Sequence, residues 1–372
     1  MPLYNKYQPF AVNRVTEGTG LRKMPGSRKV RARDIAIFAR QFYTMLNAGI
    51  PIITCLGILR KQTKNNLLKE ALIQVYESVQ EGYSLSESLK DHKNVFPELF
   101  IYMVEAGEVS GTLDAIMERM AVHYEKESKT QRKITEAMAY PVLLMIVSVV
   151  VVVFMLVAIL PTFLSMFEGS GIPLPTPTRF LLHISNALRH HAPALLLIGT
   201  ALGYMVRRSV RTDSGRKSLD QLKLKLPVVK DLVMKSSISR FTRTLSILLA
   251  SGIPLLSAMR IVAKVVGNRV MADAILSVRE DLRKGFDLSG SIQRQGIFPS
   301  MVGSMVQVGE ASGTLDDVLS RTADFYEEET DTAIQKMTTM LEPVMLILMA
   351  VVIGFIVIAM YLPMIDMMQT IQ

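Results

Sequence analysis

Phe38-Ala39-Arg40 through Asn47-Ala48-Gly49-Ile50-Pro51 returns, 203 positions later, as Phe241-Thr242-Arg243 through Ala250-Ser251-Gly252-Ile253-Pro254. Farther on, Gly107-Glu108-Val109-Ser110-Gly111-Thr112-Leu113-Asp114 returns as Gly309-Glu310-Ala311-Ser312-Gly313-Thr314-Leu315-Asp316. Between these anchors Gly82 and Phe96-Pro97 match Gly285 and Phe298-Pro299, and the offset falls to 202 after Gly285. Each copy then enters a long apolar stretch, at Pro141 and at Pro343. Self-similarity at a fixed offset means one structural unit used twice.

Within each unit the period is helical. Leu113, Ile116, Met117, Met120, Ala121 and Tyr124 recur at the spacing of one helix face, as do Leu315, Val318, Leu319, Thr322, Ala323 and Tyr326. Gly49 with Pro51, and Gly252 with Pro254, are suited to end one helix and start the next. Gly82 and Gly285 precede Ser84 and Asp287, whose side-chain oxygens suit an N-cap. No strand alternation is present, so about six short helices are expected per copy.

The motif Gly-Glu-x-Ser-Gly-Thr-Leu-Asp reads as a tight helix–helix turn. Gly107 and Gly309 are expected at positive φ, Gly111 and Gly313 at a close backbone approach. Ser110 and Ser312, with the following threonines, are expected to cap the next helix. A turn does not by itself require a carboxylate, so Glu108 and Glu310 are candidate partner contacts. Their replacement by Ala is expected to reduce function while leaving the fold intact.

Hydrophobic residues make up 49% of the 372 residues, and the excess is local. Residues 137–167 and 343–365 carry no charge and are long enough to cross a bilayer at roughly 1.5 Å per residue. A shorter apolar run at 190–206 is weakened by His190 and His191. Three transmembrane helices are therefore expected, with Pro141 and Pro343 kinking or restarting the helix at the membrane entry. The alternative, a buried core helix, is usually shorter.

Residues 1–34 hold eight Lys/Arg and no apolar core, unlike a secretory signal, and read as a basic, disordered arm. Residues 207–225 hold seven Lys/Arg, whereas the link between the first two spans holds two and the tail none. The positive-inside rule then puts the N-terminus and both repeats in the cytoplasm and the C-terminus outside. The expected division is an arm (1–34), a first helical domain (35–136), a span (137–167), an extracytoplasmic link (168–189) and a span (190–206). A basic juxtamembrane segment (207–237), a second helical domain (238–340), a third span (343–365) and an extracytoplasmic tail (366–372) follow. The net charge of +9 reflects this topology and contact with membrane lipids rather than nucleic acid, because the basic residues lack interleaved aromatics.

Catalytic patterns are missing. There is no P-loop, no His-Glu-x-x-His and no Gly-x-Ser-x-Gly, and the single Cys55 excludes an intrachain disulfide. No cofactor or metal is expected, and the protein is not expected to be an enzyme. The outer spans contain no ionisable residue, which argues against a self-contained transport pathway and leaves a transporter or channel subunit as the alternative.

These residues resemble the type II secretion F-protein family, the GspF/PilC inner-membrane platform proteins. The likeness is carried by Phe38, Ala48-Gly49-Ile50-Pro51, Gly82-x-Ser84-Leu85, Phe96-Pro97, Gly107-Glu108-x-Ser110-Gly111, Tyr140-Pro141 and their second-copy counterparts, over residues 35–370. It implies an all-α membrane protein with two cytoplasmic helical bundles, acting as the platform of a type IV pilus or type II secretion apparatus in the bacterial inner membrane. Implied partners are a cytoplasmic assembly ATPase, pilin or pseudopilin subunits, other inner-membrane assembly proteins and further copies of the chain. Copy one carries Glu125-Lys126-Glu127 where copy two carries Glu327-Glu328-Glu329, so the two bundles are expected to face different partners.

Overall fold

A computed structural model describes residues 29–165, 175–209 and 212–370. Residues 1–28 of the expected arm and 168–174 of the expected link lie outside these.

The first copy contains α1 (Ala32–Asn47), α2 (Ile52–Gln62), α3 (Asn66–Gln80), α4 (Leu85–Lys90), α5 (Glu98–Ser110) and α6 (Leu113–Phe154). A π-helical turn at Met155–Ile159 and α7 (Leu160–Ser165) extend α6. Next come α8 (Thr176–His190), α9 (Ala192–Ser209) and α10 (Asp213–Lys225). The second copy contains α11 (Pro227–Ala250), α12 (Leu255–Val265), α13 (Arg269–Arg283), α14 (Leu288–Arg294), α15 (Ser300–Ser312) and α16 (Leu315–Thr370). No strand occurs among the described residues.

Equivalent residues start equivalent helices. Asn65 Oδ1 accepts the Leu67 amide at 3.1 Å, and Asn268 Oδ1 accepts that of Val270 at 2.9 Å. Ser84 Oγ accepts the Glu87 amide at 3.1 Å, and Asp287 Oδ2 that of Gly290 at 2.7 Å. These side chains satisfy amides that have no partner within their own helix.

In copy one Phe38, Phe42, Phe96 and Phe100 are fully or almost fully buried, and the Phe38 and Phe96 rings lie 5.8 Å apart. Each contributes about 1.5–3 kcal/mol through burial. Copy two keeps the Phe241–Phe298 pair at 5.3 Å and fills the rest with aliphatic side chains such as Leu245 and Val302. Cys55 is a buried thiol whose Sγ lies 3.4 Å from Ile50 O. Buried residues of both copies form one continuous apolar cluster.

Among the described residues two helices are long and apolar enough to cross a membrane, Leu113–Ser165 and Leu315–Ile365, with mean hydropathy 3.4 and 2.9 in their most apolar windows. Only 6% and 11% of those windows are buried, whereas a soluble core helix would be mostly buried. Pro141 and Pro343 lie inside unbroken helices, so neither restarts the chain. The run expected as a second span forms α9, but its 18 residues include Arg207 and Arg208, and it falls short of the same test.

The expected link largely forms helix α8, which docks on the long helices. Ser185 Oγ donates to Leu156 O at 2.6 Å, and Arg189 Nε donates to Val157 O at 2.9 Å. Both acceptors lie in the π-helical turn, whose wider winding departs from the usual backbone pairing. Leu156, Leu160, Leu181, Ile356 and Ala359 close this end of the molecule.

Candidate functional site

Each Gly-Glu turn joins two helices at a backbone approach that only glycine permits. Gly107 lies inside α5, and a Cβ there would sit 2.9 Å from Ile116 Cγ1 and 3.2 Å from Leu113 Cα. At Gly309 the corresponding Cβ would sit 2.9 Å from Leu315 Cα. Positive φ belongs instead to Gly111 (71°) and Gly313 (72°), which end α5 and α15 in the left-handed region. The expected roles of the two glycines in each motif are therefore exchanged. The helix runs one turn farther than the motif suggests, because the small Gly107 lets α6 pack closely across α5.

The serines also act backwards rather than forwards. Ser110 Oγ donates to Ala106 O at 2.8 Å, and Ser312 Oγ to Val308 O at 2.8 Å, while Thr112 makes no side-chain cap. Neither serine caps the following helix, as they were expected to do.

The carboxylates have a defined target. Glu108 Oε1 accepts the Leu85 amide at 2.6 Å, and its Oε2 accepts the Ser86 amide at 2.9 Å. Glu310 accepts the Leu288 and Ser289 amides at 2.7 and 2.9 Å. Each Glu thus holds the first two amides of a short neighbouring helix, α4 or α14, where negative charge also favours the helix dipole. The turn does use a carboxylate, in trans, to tie α5 to α4. Glu108 is half-buried and Glu310 exposed.

Gly49 and Gly252 take φ of 77° and 76° just beyond α1 and α11, and Pro51 and Pro254 are the residues from which α2 and α12 start.

Periodicity did not reveal the polar seam between the copies. Lys126 on α6 reaches Asp324 at 3.0 Å and Glu327 at 2.9 Å on α16. Lys133 pairs with Asp331 on the same two helices. Arg243 on α11 joins this network through Nε to Glu327 at 2.8 Å and through Nη2 to Asp324. Arg119 Nη1 donates to Ala250 O at 2.9 Å and Ser251 Oγ at 2.8 Å, closing the end of α11, and Lys264 pairs with Glu98 at 2.6 Å. Lys126, whose counterpart in the second copy is Glu328, therefore faces acidic residues of that copy. The signal was present in the Lys126/Glu328 difference, but only packing identifies the partner.

Burial alone would raise the Asp324 carboxyl, but bonds from Lys126 and Arg243 outweigh it and hold it below the usual range. Burial pushes the His123 imidazole down to about 4; Arg243, Arg240 and Lys126 act in the same direction, and Glu127 opposes them. Among the described residues no group of three or more His, Cys, Asp or Glu side chains is placed to hold a metal ion.

The family model for type II secretion system (T2SS) protein F matches residues 38–161 and 241–363, one match per copy. A type IV pilus assembly protein PilC from Thermus thermophilus is 41% identical, covering 91% of this chain and 84% of the relative. One of the same name from Myxococcus xanthus is 38% identical, covering 94% and 84%. A type II secretion system protein F from Vibrio cholerae is 35% identical, covering 91% and 84%.

Proposed function

The chain belongs to the type II secretion system protein F family, and from that membership we propose that it is the inner-membrane platform of a type IV pilus or type II secretion apparatus. In this reading it couples a separate cytoplasmic assembly ATPase to the insertion of pilin or pseudopilin subunits. The observation that carries the proposal is mechanical. Each repeat bundle continues without a break into a long apolar helix, and the two bundles are joined by ion pairs where those helices leave them. A push on one bundle is then transmitted to both intramembrane helices as a rigid body.

The basic segment over 207–225 supports a topology with both repeats and the N-terminus in the cytoplasm and the C-terminus outside. In that topology α9 completes a third crossing, since a chain with two crossings would return to the side on which it began. The carboxylates of Glu108 and Glu310 are taken up by backbone amides, so we assign partner contact to the outer edge of the turns, where Val109 of the first is 87% exposed. Association between copies of the chain and with anionic lipid belongs to the same reading.

Deletion of the gene is expected to abolish pilus formation or secretion, and the purified chain is expected to bind its cognate ATPase. Intact filament assembly and secretion in the deletion strain would overturn the proposal.

A further inference from the structure

Where the copies meet, a cavity of about 160 Å³ opens between α6, α11 and α16. A water occupies roughly 30 Å³ of liquid, so the space holds several waters or one tetrahedral oxyanion. One wall is the α11 face that carries Ser236, Ser239, Arg240 and Arg243, at spacings that bring all four to the same side. The opposite wall is the α6 face that carries Lys126, Lys129 and Lys133.

Ion pairing uses only part of this donor set. Lys126, Lys133 and Arg243 are held by Asp324, Glu327 and Asp331. Among the described residues Arg240 has one ion-pair partner, Glu127, at 3.9 Å. Lys129 and the Ser236 and Ser239 hydroxyls have no side-chain hydrogen-bond partner among the described residues. A guanidinium fork, an ammonium and two hydroxyls therefore line one space whose carboxylates are Glu327 and Asp331, both taken up in ion pairs, and the loosely held Glu127.

Arg240 is also held in place. A Cβ on Gly267 would lie 2.7 Å from Arg240 Nη1, so the guanidinium lies against the turn that ends α12. The site has no counterpart in the first copy. Arg240 corresponds to Ile37, while Lys126 and Lys129 correspond to Glu328 and Asp331.

We propose that this junction binds an anionic group of the phosphate class, with Arg240 as the bidentate donor and Lys129, Ser236 and Ser239 completing the shell. Lys133 lies eight residues before Pro141, about 12 Å along the helix, so a soluble phosphate and a lipid headgroup are both within reach.

The test uses the full chain in nanodiscs. In phosphatidylcholine discs, inorganic phosphate is titrated at constant ionic strength against chloride, with thermal unfolding and calorimetry as readouts. A second arm replaces part of the lipid with phosphatidylglycerol. Saturable stabilisation in the first arm assigns a soluble phosphate, and stabilisation only in the second assigns a lipid headgroup. Simple screening would weaken the surrounding ion pairs, so it cannot mimic a rise. Arg240→Gln and Lys129→Gln are each expected to weaken binding about tenfold, equivalent to about 1.4 kcal/mol. Lys129 is exposed, so that variant decides the matter even if Arg240→Gln fails to fold. No saturable stabilisation in either arm, or unchanged binding in Lys129→Gln, overturns the proposal.

Discussion

Replacing Glu108 tests the reasoning most directly, because every amide of the first turn of α4 can be accounted for. The Leu85 and Ser86 amides go to Glu108, the Glu87 amide goes to Ser84 Oγ at 3.1 Å, and the Ser84 amide goes to Glu87 Oε2 at 3.4 Å. Hydrogen bonds to a charged group are worth about 1.5–3 kcal/mol each when water cannot replace them. Glu108 is half-buried, so water recovers part of the loss. Glu108→Ala is then expected to cost about 2 kcal/mol, and Glu108→Gln, which keeps one acceptor oxygen, about 1 kcal/mol. At about 2–4 °C per kcal/mol for a chain of this order of size, the Ala variant should melt about 4–8 °C lower. Glu310→Ala, at an exposed site, should shift less. Thermal unfolding of the full chain in detergent, followed by far-UV circular dichroism, gives the comparison. An unchanged melting temperature for Glu108→Ala, or a larger loss for Gln than for Ala, would refute the argument. The sequence-based expectation that Ala at 108 leaves the fold untouched is revised accordingly: a loss of assembly in that variant must first be corrected for lost stability.

Gly107→Val should lower folded yield sharply, since overpacking costs about 1–3 kcal/mol and the Leu113 backbone cannot move aside as a side chain could; in-gel fluorescence of a tagged chain reads it. Gly111→Ala, strained by a φ of 71° but with open space around it, should cost only about 1 kcal/mol on the same readout. Lys126→Glu should loosen the two repeats and speed proteolysis between them, and adding Asp324→Lys should restore part of the resistance; equal cleavage in all three proteins would rule out a holding role for the seam. Acid should also weaken the fold through His123. Its folded pKa of about 4 lies below the ordinary 6.5, so the unfolded chain binds the proton first and stability falls as pH drops from 6.5 towards 4, by at most about 3 kcal/mol. His123→Phe, which copies the residue at the equivalent position 325, should flatten that part of the pH profile.

The repeat, the helical class and the two long apolar helices were legible because they depend on periodicities and lengths that the chain carries locally. So were the N-cap at Ser84 and the turn glycines Gly49 and Gly82, where a cap or a positive φ is a property of a few neighbouring residues. Roles that depend on what lies across a contact were not. Gly107 and Gly111 exchanged parts because close approach is decided by α6, a different helix, and not by the residues beside the glycine. Glu108 read as spare because its target, the start of α4, lies 22 and 23 positions earlier.

The unequal charges of the two copies mark the boundary between the two kinds of information. The sequence by itself determined that a helical unit had been duplicated, that each copy led into an apolar helix, and that Lys126 had diverged from Glu328. Only the tertiary structure decided that α6 and α16 lie side by side, so that Lys126 and Lys133 meet the acidic residues of the other copy. The physical reason is range. Helix period and span length follow from interactions within a few residues, whereas an ion pair between positions about two hundred apart exists only once the chain has brought two surfaces together.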